Sequence, residues 1–125
     1  MSAKQVLVID NEAYIQEIIQ IALETISGWH VITASSGQEG LEMAQKHQPD
    51  AILLDVMMPE MDGLTTFSKL QEEAATQSIP VMLLTAKVQA ADRQRYQALG
   101  VKATISKPFD PMQLPTQISN LLGWT

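Results

Sequence analysis

Ala51-Ile52-Leu53-Leu54-Asp55-Val56-Met57-Met58-Pro59-Glu60-Met61-Asp62-Gly63 drives four apolar residues straight into a carboxylate. A run of that length without polar alternation predicts a central strand covered on both faces. Such a strand ends where the chain meets water. Asp55 is therefore expected at its carboxyl end, at the mouth of the crevice where open α/β sheets bind ligands. Pro59 and the Asp62-Gly63 pair are expected to shape a turn after it. A cap or turn role alone would leave Asp55 solitary, whereas three other predicted strands deliver polar groups to the same edge.

Toward the N-terminus, Gln5-Val6-Leu7-Val8-Ile9 is a second apolar run, closed by Asp10-Asn11-Glu12. Ile15, Ile18, Ile19, Ala22, Leu23 and Ile26 then recur at helical spacing, and Gly28 stops the helix. One residue of the 10–12 trio can cap that helix. Trp29–Ala34 reads as a mixed, edge-type strand. Ser36 followed by Glu39 is a capping-box pattern for a second helix through Leu41 and Ala44, bounded by Pro49. His30 has no Cys or His at metal spacing, and His47 is expected in the last turn of that helix.

Toward the C-terminus, Leu64, Phe67 and Leu70 mark a third helix. Pro80–Leu84 is a further apolar strand, with proline at its first position, ending in Thr85-Ala86. A polar fourth helix is expected over roughly 88–98, with Ala91, Tyr96 and Leu99 as its apolar marks and Gly100 as its stop. Ala103–Ser106 is a weak fifth strand that runs into Lys107-Pro108-Phe109. Asp110-Pro111 looks like a cap followed by proline at the first helical position. Pro115 conflicts with that start, so the last helix is expected to begin late or to kink. Trp124 closes over the core or lies at the tail. Five strands alternating with five helices fit β-α units with right-handed crossovers, as one domain over 1–125.

The bulk properties bound what such a domain does. With 125 residues, 46% hydrophobic and 18% charged, the chain is long and apolar enough for one core. No apolar run reaches membrane-span length, the first residues lead directly into a strand, and there is no cysteine. A cytoplasmic protein without membrane insertion is expected. Residues 1–62 carry ten acidic and two basic side chains, residues 63–125 four acidic and six basic, and the net charge is −6. That field opposes phosphate-driven DNA binding, so no direct nucleic-acid contact is expected.

Asp10-Asn11-Glu12, Asp55, Thr85 and Lys107 all follow strands. In an all-parallel sheet these ends share one rim. Two carboxylates and a main-chain carbonyl, that of Met57 being the candidate, make an oxygen-rich site suited to Mg²⁺. Lys107 can pair with Asp55 or with a phosphoryl oxygen. Thr85 offers a hydroxyl, and Ala86 leaves room. The set favours in-line phosphoryl transfer onto a carboxylate over paired acid–base hydrolysis. No Gly-x-x-x-x-Gly-Lys loop and no Gly-x-Gly-x-x-Gly run is present, so neither nucleotide nor dinucleotide is expected.

In Val6–Asp10, Leu53–Gly63, Leu84-Thr85-Ala86 and Lys107-Pro108-Phe109, taken as an ordered set, the chain resembles a receiver domain of two-component response regulators, of the stand-alone type, over essentially its whole length. The resemblance implies a doubly wound (βα)5 fold, flavodoxin-like, with strand order 2-1-3-4-5. It implies Asp55 as phosphate acceptor, Asp10, Asp55 and the Met57 carbonyl around Mg²⁺, Thr85 and Lys107 on the phosphoryl group, and a cis Lys107-Pro108 bond. It also implies that the domain catalyses its own aspartyl phosphorylation and dephosphorylation while acting chiefly as a signalling protein. The implied partners are a sensor histidine kinase or histidine phosphotransfer protein as donor and a downstream protein. The implied state is a monomer or a weak phosphorylation-dependent dimer. The face that changes is expected at the fourth helix, fifth strand and last helix, marked by Gln89, Arg93, Gln97, Thr104 and Gln113.

Two positions depart from the family pattern. Asn11 stands where a second acid is usual and lowers the attraction for a cation, with Glu12, close by and longer, as the alternative ligand. Thr104 stands where the family often has Tyr or Phe. The competing reading is a receiver-like binding module that works without phosphate.

Overall fold

The computed structural model describes residues 4–86 and 89–124. Five strands, β1 (Gln5–Ile9), β2 (His30–Ala34), β3 (Ala51–Asp55), β4 (Val81–Thr85) and β5 (Ala103–Ser106), form one parallel sheet in the order β2-β1-β3-β4-β5. The helices are α1 (Ala13–Ser27), α2 (Gly37–His47), α3 (Gly63–Glu72), α4 (Ala90–Ala98) and α5 (Leu114–Leu122). The expected strand order is thus realised, with β2 at an edge.

Successive strand side chains point to opposite faces, and here both faces are dry. Leu7, Ile9, Ile52, Leu54, Val81 and Leu83 enter one core layer, under α2, α3 and α4. Val6, Val8, Ala51, Leu53, Met82 and Leu84 enter the other, with Ile19 and Leu23 of α1 and Leu114 and Ile118 of α5. This two-sided burial is why the strands read as continuous apolar runs rather than alternating ones.

Register places the functional end. Ile9 pairs with both Ala34 and Leu54, Asp55 with Leu84, and Thr85 with Ser106. The residues that end or follow these strands therefore reach one rim at one level.

Several local expectations are corrected. The Asp62-Gly63 pair starts α3 instead of making a free turn: Asp62 is its N-cap, accepting a hydrogen bond from the Thr65 N–H at 2.8 Å. α5 starts at Leu114 with Pro115 in its first turn, where a missing N–H is harmless. The late start was one of the two expected outcomes, and Asp110 accordingly caps a preceding turn by accepting from the Met112 N–H. β2 begins at His30, after Trp29. α4 begins at Ala90, and the expected start at 88 lies outside the described residues. Of its apolar marks only Tyr96 is buried; Ala91 and Leu99 face solvent. In α1, Ile18 and Ile26 are likewise exposed. Glu12 of the trio is the N-cap of α1, as expected, but its side chain accepts no cap bond. Ser36 accepts from the Glu39 N–H as expected, but Glu39 returns to the Ser35 N–H, one residue earlier than a capping box requires.

Trp124 packs edge-on against Trp29, with ring centroids 5.1 Å apart, and the Lys4 ammonium lies 5.0 Å from its ring. Both indoles thus lie beside the amino end of β2, opposite the rim. Among the described residues, no helix is long and apolar enough to cross a membrane.

Candidate functional site

Asp10 follows β1, Asp55 ends β3, Thr85 ends β4 and Lys107 follows β5. Each is where it is because a buried strand has run out of apolar residues at the same level of the sheet. Asp10, Asp55 and Thr85 are buried, Glu12 and Lys107 are half-buried, and Asn11 and Met57 are exposed. The Lys107–Pro108 peptide bond is cis, as expected.

The sheet gathers three carboxylates. One oxygen each of Asp10, Glu12 and Asp55 lies within 4.8 Å of the others. Lys107 Nζ donates to Asp10 Oδ2 at 2.9 Å and sits 3.4 Å from Asp55 Oδ1 and 3.7 Å from Glu12 Oε1. Asp10 Oδ1 accepts from the Glu12 N–H at 2.8 Å, which ties the trio to the rim. The Met57 N–H donates to Asp55 Oδ1 at 3.2 Å.

Charge decides what the cluster fits. Three carboxylates against one ammonium leave two negative charges in a partly dry pocket. Oxygen donors with that deficit suit a hard divalent cation such as Mg²⁺. Asp10, Glu12 and Asp55 are the side chains that would hold it. Glu12 thus brings a charged oxygen to the site, next to the neutral Asn11.

Burial pushes the Asp55 carboxyl above its ordinary range, and the Asp10 charge adds to this; Lys107 and the Met57 N–H pull the other way without prevailing. For Lys107, burial favours the neutral amine, but its bond to Asp10 and the charges of Asp10 and Asp55 outweigh burial and hold the ammonium above its usual range. The raised Asp55 has a stability consequence. Above about pH 3.9, where an unfolded Asp ionises, the unfolded chain releases this proton first. Folding therefore weakens until the pH passes the native value. Asp55→Asn is expected to unfold at higher urea than the parent at pH 7, the gain fading as pH falls below the unfolded value; urea titrations at both pH values check this.

Two residues without a role in the sequence reading join the site. The exposed Tyr14 phenol faces Glu12, whose acceptor oxygen and charge both raise the phenol pKa. Gln16 Nε2 donates to the main-chain carbonyl of Asp10 and to Ser35 Oγ, fastening the Asp10 loop to the end of β2. Their spacing from Glu12 on α1, two and four residues, was the only available signal. Of the five expected partner-face markers, Arg93, Gln97 and Thr104 line one small groove between α4 and β5. Gln89 and Gln113 are the N-caps of α4 and α5 and do not line it.

Residues 6–119 match the response regulator receiver domain. Response regulator Rre1 of Synechocystis is 38% identical over 117 residues, covering 94% of this chain and 51% of that protein. The alkaline phosphatase synthesis transcriptional regulatory protein PhoP of Bacillus subtilis is 37% identical, covering 95% and 48%. The chain spans about half the length of these curated relatives. Among solved structures, the chemotaxis response regulator CheY4 of Vibrio cholerae superposes with a TM-score of 0.89 at 28% identity, covering 96% of this chain and 99% of that one. The N-terminal domain of a response regulator receiver protein from Methanoculleus marisnigri gives 0.78 at 34%, covering 97% and 98%. With a buried aspartate, an acidic cluster and a lysine meeting at the carboxyl rim of a 2-1-3-4-5 sheet, the chain belongs to the receiver domain family of response regulators.

Proposed function

We propose that this chain, read as one receiver domain over 1–125, takes a phosphoryl group on Asp55 from a phosphohistidine of a sensor histidine kinase or histidine phosphotransfer protein. The observation that carries the reading is Asp55 Oδ1 lying 3.4 Å from Lys107 Nζ inside a cluster left with two uncompensated negative charges. An Asp55 oxygen attacks phosphorus in line as the P–N bond to the imidazole breaks, and the imidazole leaves with its electron pair and takes a proton. Asp10, Glu12 and Asp55, with the Met57 carbonyl as a further oxygen, would hold a Mg²⁺ ion, which would supply positive charge against the phosphoryl oxygens. Lys107 balances charge on those oxygens, and the Thr85 hydroxyl bonds one of them. The product is an acyl phosphate that water cleaves, restoring the carboxylate. The domain then signals to a cytoplasmic protein partner through α4, β5 and α5.

Incubation with acetyl phosphate and Mg²⁺, followed by intact-mass measurement, tests the reading. The expected result is a gain of one phosphoryl group that requires Mg²⁺ and is lost in Asp55→Asn. No gain, from acetyl phosphate or from a phosphohistidine donor, would favour the phosphate-independent binding module.

The metal assignment has its own test. Asn11→Asp adds a carboxylate beside the cluster and is expected to tighten Mg²⁺ binding several-fold, whereas Glu12→Gln is expected to weaken it by a similar factor. Calorimetric titration reads both. Tryptophan fluorescence is the wrong probe, since Trp29 and Trp124 lie at the far end of the sheet.

A further inference from the structure

α4 is tethered by one side chain. Tyr96 is its only buried residue among those described, whereas α1 buries Ile19, Ala22 and Leu23, and α3 buries Gly63, Thr66, Phe67 and Leu70. Tyr96 is 3% exposed and shares a core layer with Val56, Met58, Phe67 and Val101. Tyr96 also lines two clefts that open at the surface on either side of α4. On one side it borders a cleft of about 570 Å³ whose other walls include Val56, Met57, Met58 and Asp62. On the other it borders the groove of about 180 Å³ lined by Arg93, Gln97 and Thr104. The Arg95 guanidinium lies 5.4 Å from the ring centroid and covers it from the helix surface.

The first cleft begins at the acceptor. Val56 and Met57 are the two residues after Asp55, and the Met57 N–H donates to Asp55 Oδ1. That bond is charge-assisted while Asp55 is a carboxylate. Once an Asp55 oxygen is phosphorylated, the charge leaves the carboxyl and the bond weakens, so the Met57 backbone is the first segment to feel the change.

We propose that Tyr96 couples the state of Asp55 to the α4–β5 groove: when the 56–58 segment shifts, the ring moves between its two clefts and α4, having no other buried anchor, moves with it. The proposal rests on Asp55 being the phosphoacceptor.

The chain has two tyrosines, Tyr14 and Tyr96, so full-length protein labelled with 3-fluorotyrosine gives two ¹⁹F lines, assigned with Tyr14→Phe. Beryllium fluoride with Mg²⁺ is added as the phosphoryl mimic, and its bound fluorines report loading in the same spectrum, with Asp55→Asn as the control. The expected result is a Tyr96 line that moves by more than its width when the bound lines appear, and returns when the mimic is removed. Tyr96→Leu keeps an apolar anchor; it is expected to load the mimic unchanged but to lose the amide shifts of Gln97 and Thr104 that loading causes in the parent. Bound lines with a stationary Tyr96 line would overturn the proposal, and so would retained Gln97 and Thr104 shifts in Tyr96→Leu. The first readout needs no substitution at position 96. Absence of bound lines would instead overturn the phosphoacceptor reading, and this proposal with it.

Discussion

Gly63→Ala is expected to lower unfolding free energy by about 3 kcal/mol, the upper end of the usual cost of overpacking. A methyl group at Gly63 would lie 2.3 Å from the Asp55 carbonyl oxygen and 2.7 Å from Val56 Cα. Both are backbone atoms, so no rotamer change relieves the clash. The Gly63 N–H also donates to the Val56 carbonyl at 3.0 Å, which holds the start of α3 against the end of β3. Relief therefore has to displace either α3 or Asp55 itself, and phosphorylation should fall along with stability. For Gly40→Ala the three nearest atoms all belong to the Ile9 side chain, the first being the flexible Cδ1, and the cost should be smaller. Urea denaturation of both variants, with the phosphorylation yield of each, checks the ordering.

Lys107→Met is the second large effect. It removes the ammonium bonded to Asp10, a carboxylate with no exposed surface, and leaves three acids facing one another. Removing one partner of a buried ion pair costs roughly 3–5 kcal/mol. Lys107 keeps some solvent contact, so a loss of about 3 kcal/mol is expected, near the lower end of that range. Saturating Mg²⁺ should recover more stability in the variant than in the parent, because the ion binds the native cluster and no longer competes with an ammonium. The parent also has an alkaline signature. Since the native Lys107 pKa is raised, the pair's stabilisation is complete below about pH 10.4, the unfolded lysine value, and is lost as pH rises through the native value. The variant should lack that alkaline loss. Thermal melts with and without Mg²⁺, across neutral and alkaline pH, decide both points.

The sheet was legible because its burial is two-sided. Ala51–Leu54 and Val6–Ile9 carry no polar interruption, and a strand wrapped by helices on both faces has no other composition open to it. The rim followed from direction alone, since parallel strands bring their ends to one edge, and the register confirms it at Ile9, Asp55 and Thr85. Helix periodicity was a weaker guide. Ile18 and Ile26 share the spacing of Ile19 and Leu23, yet the sheet covers only part of that wide apolar face. Asp62-Gly63 was misread because a turn and a helix N-cap use the same aspartate oxygen in the same local way. Glu12 was legible only as an alternative to Asn11. What brings it in is the Asp10 carboxylate accepting its N–H, a contact that spacing alone does not announce. Tyr14 and Gln16 act through α1 folding back over the rim, and their roles appear only once that helix is placed.

Asp55 as the acceptor is tested most directly by locating the acyl phosphate. Protein phosphorylated with acetyl phosphate and Mg²⁺ is reduced with borohydride, which converts an aspartyl phosphate to homoserine, and then digested and sequenced by tandem mass spectrometry. The expected result is homoserine at position 55 and at no other aspartate. Homoserine at position 10, or a stable phosphate on a hydroxyl side chain with position 55 unreduced, would contradict it.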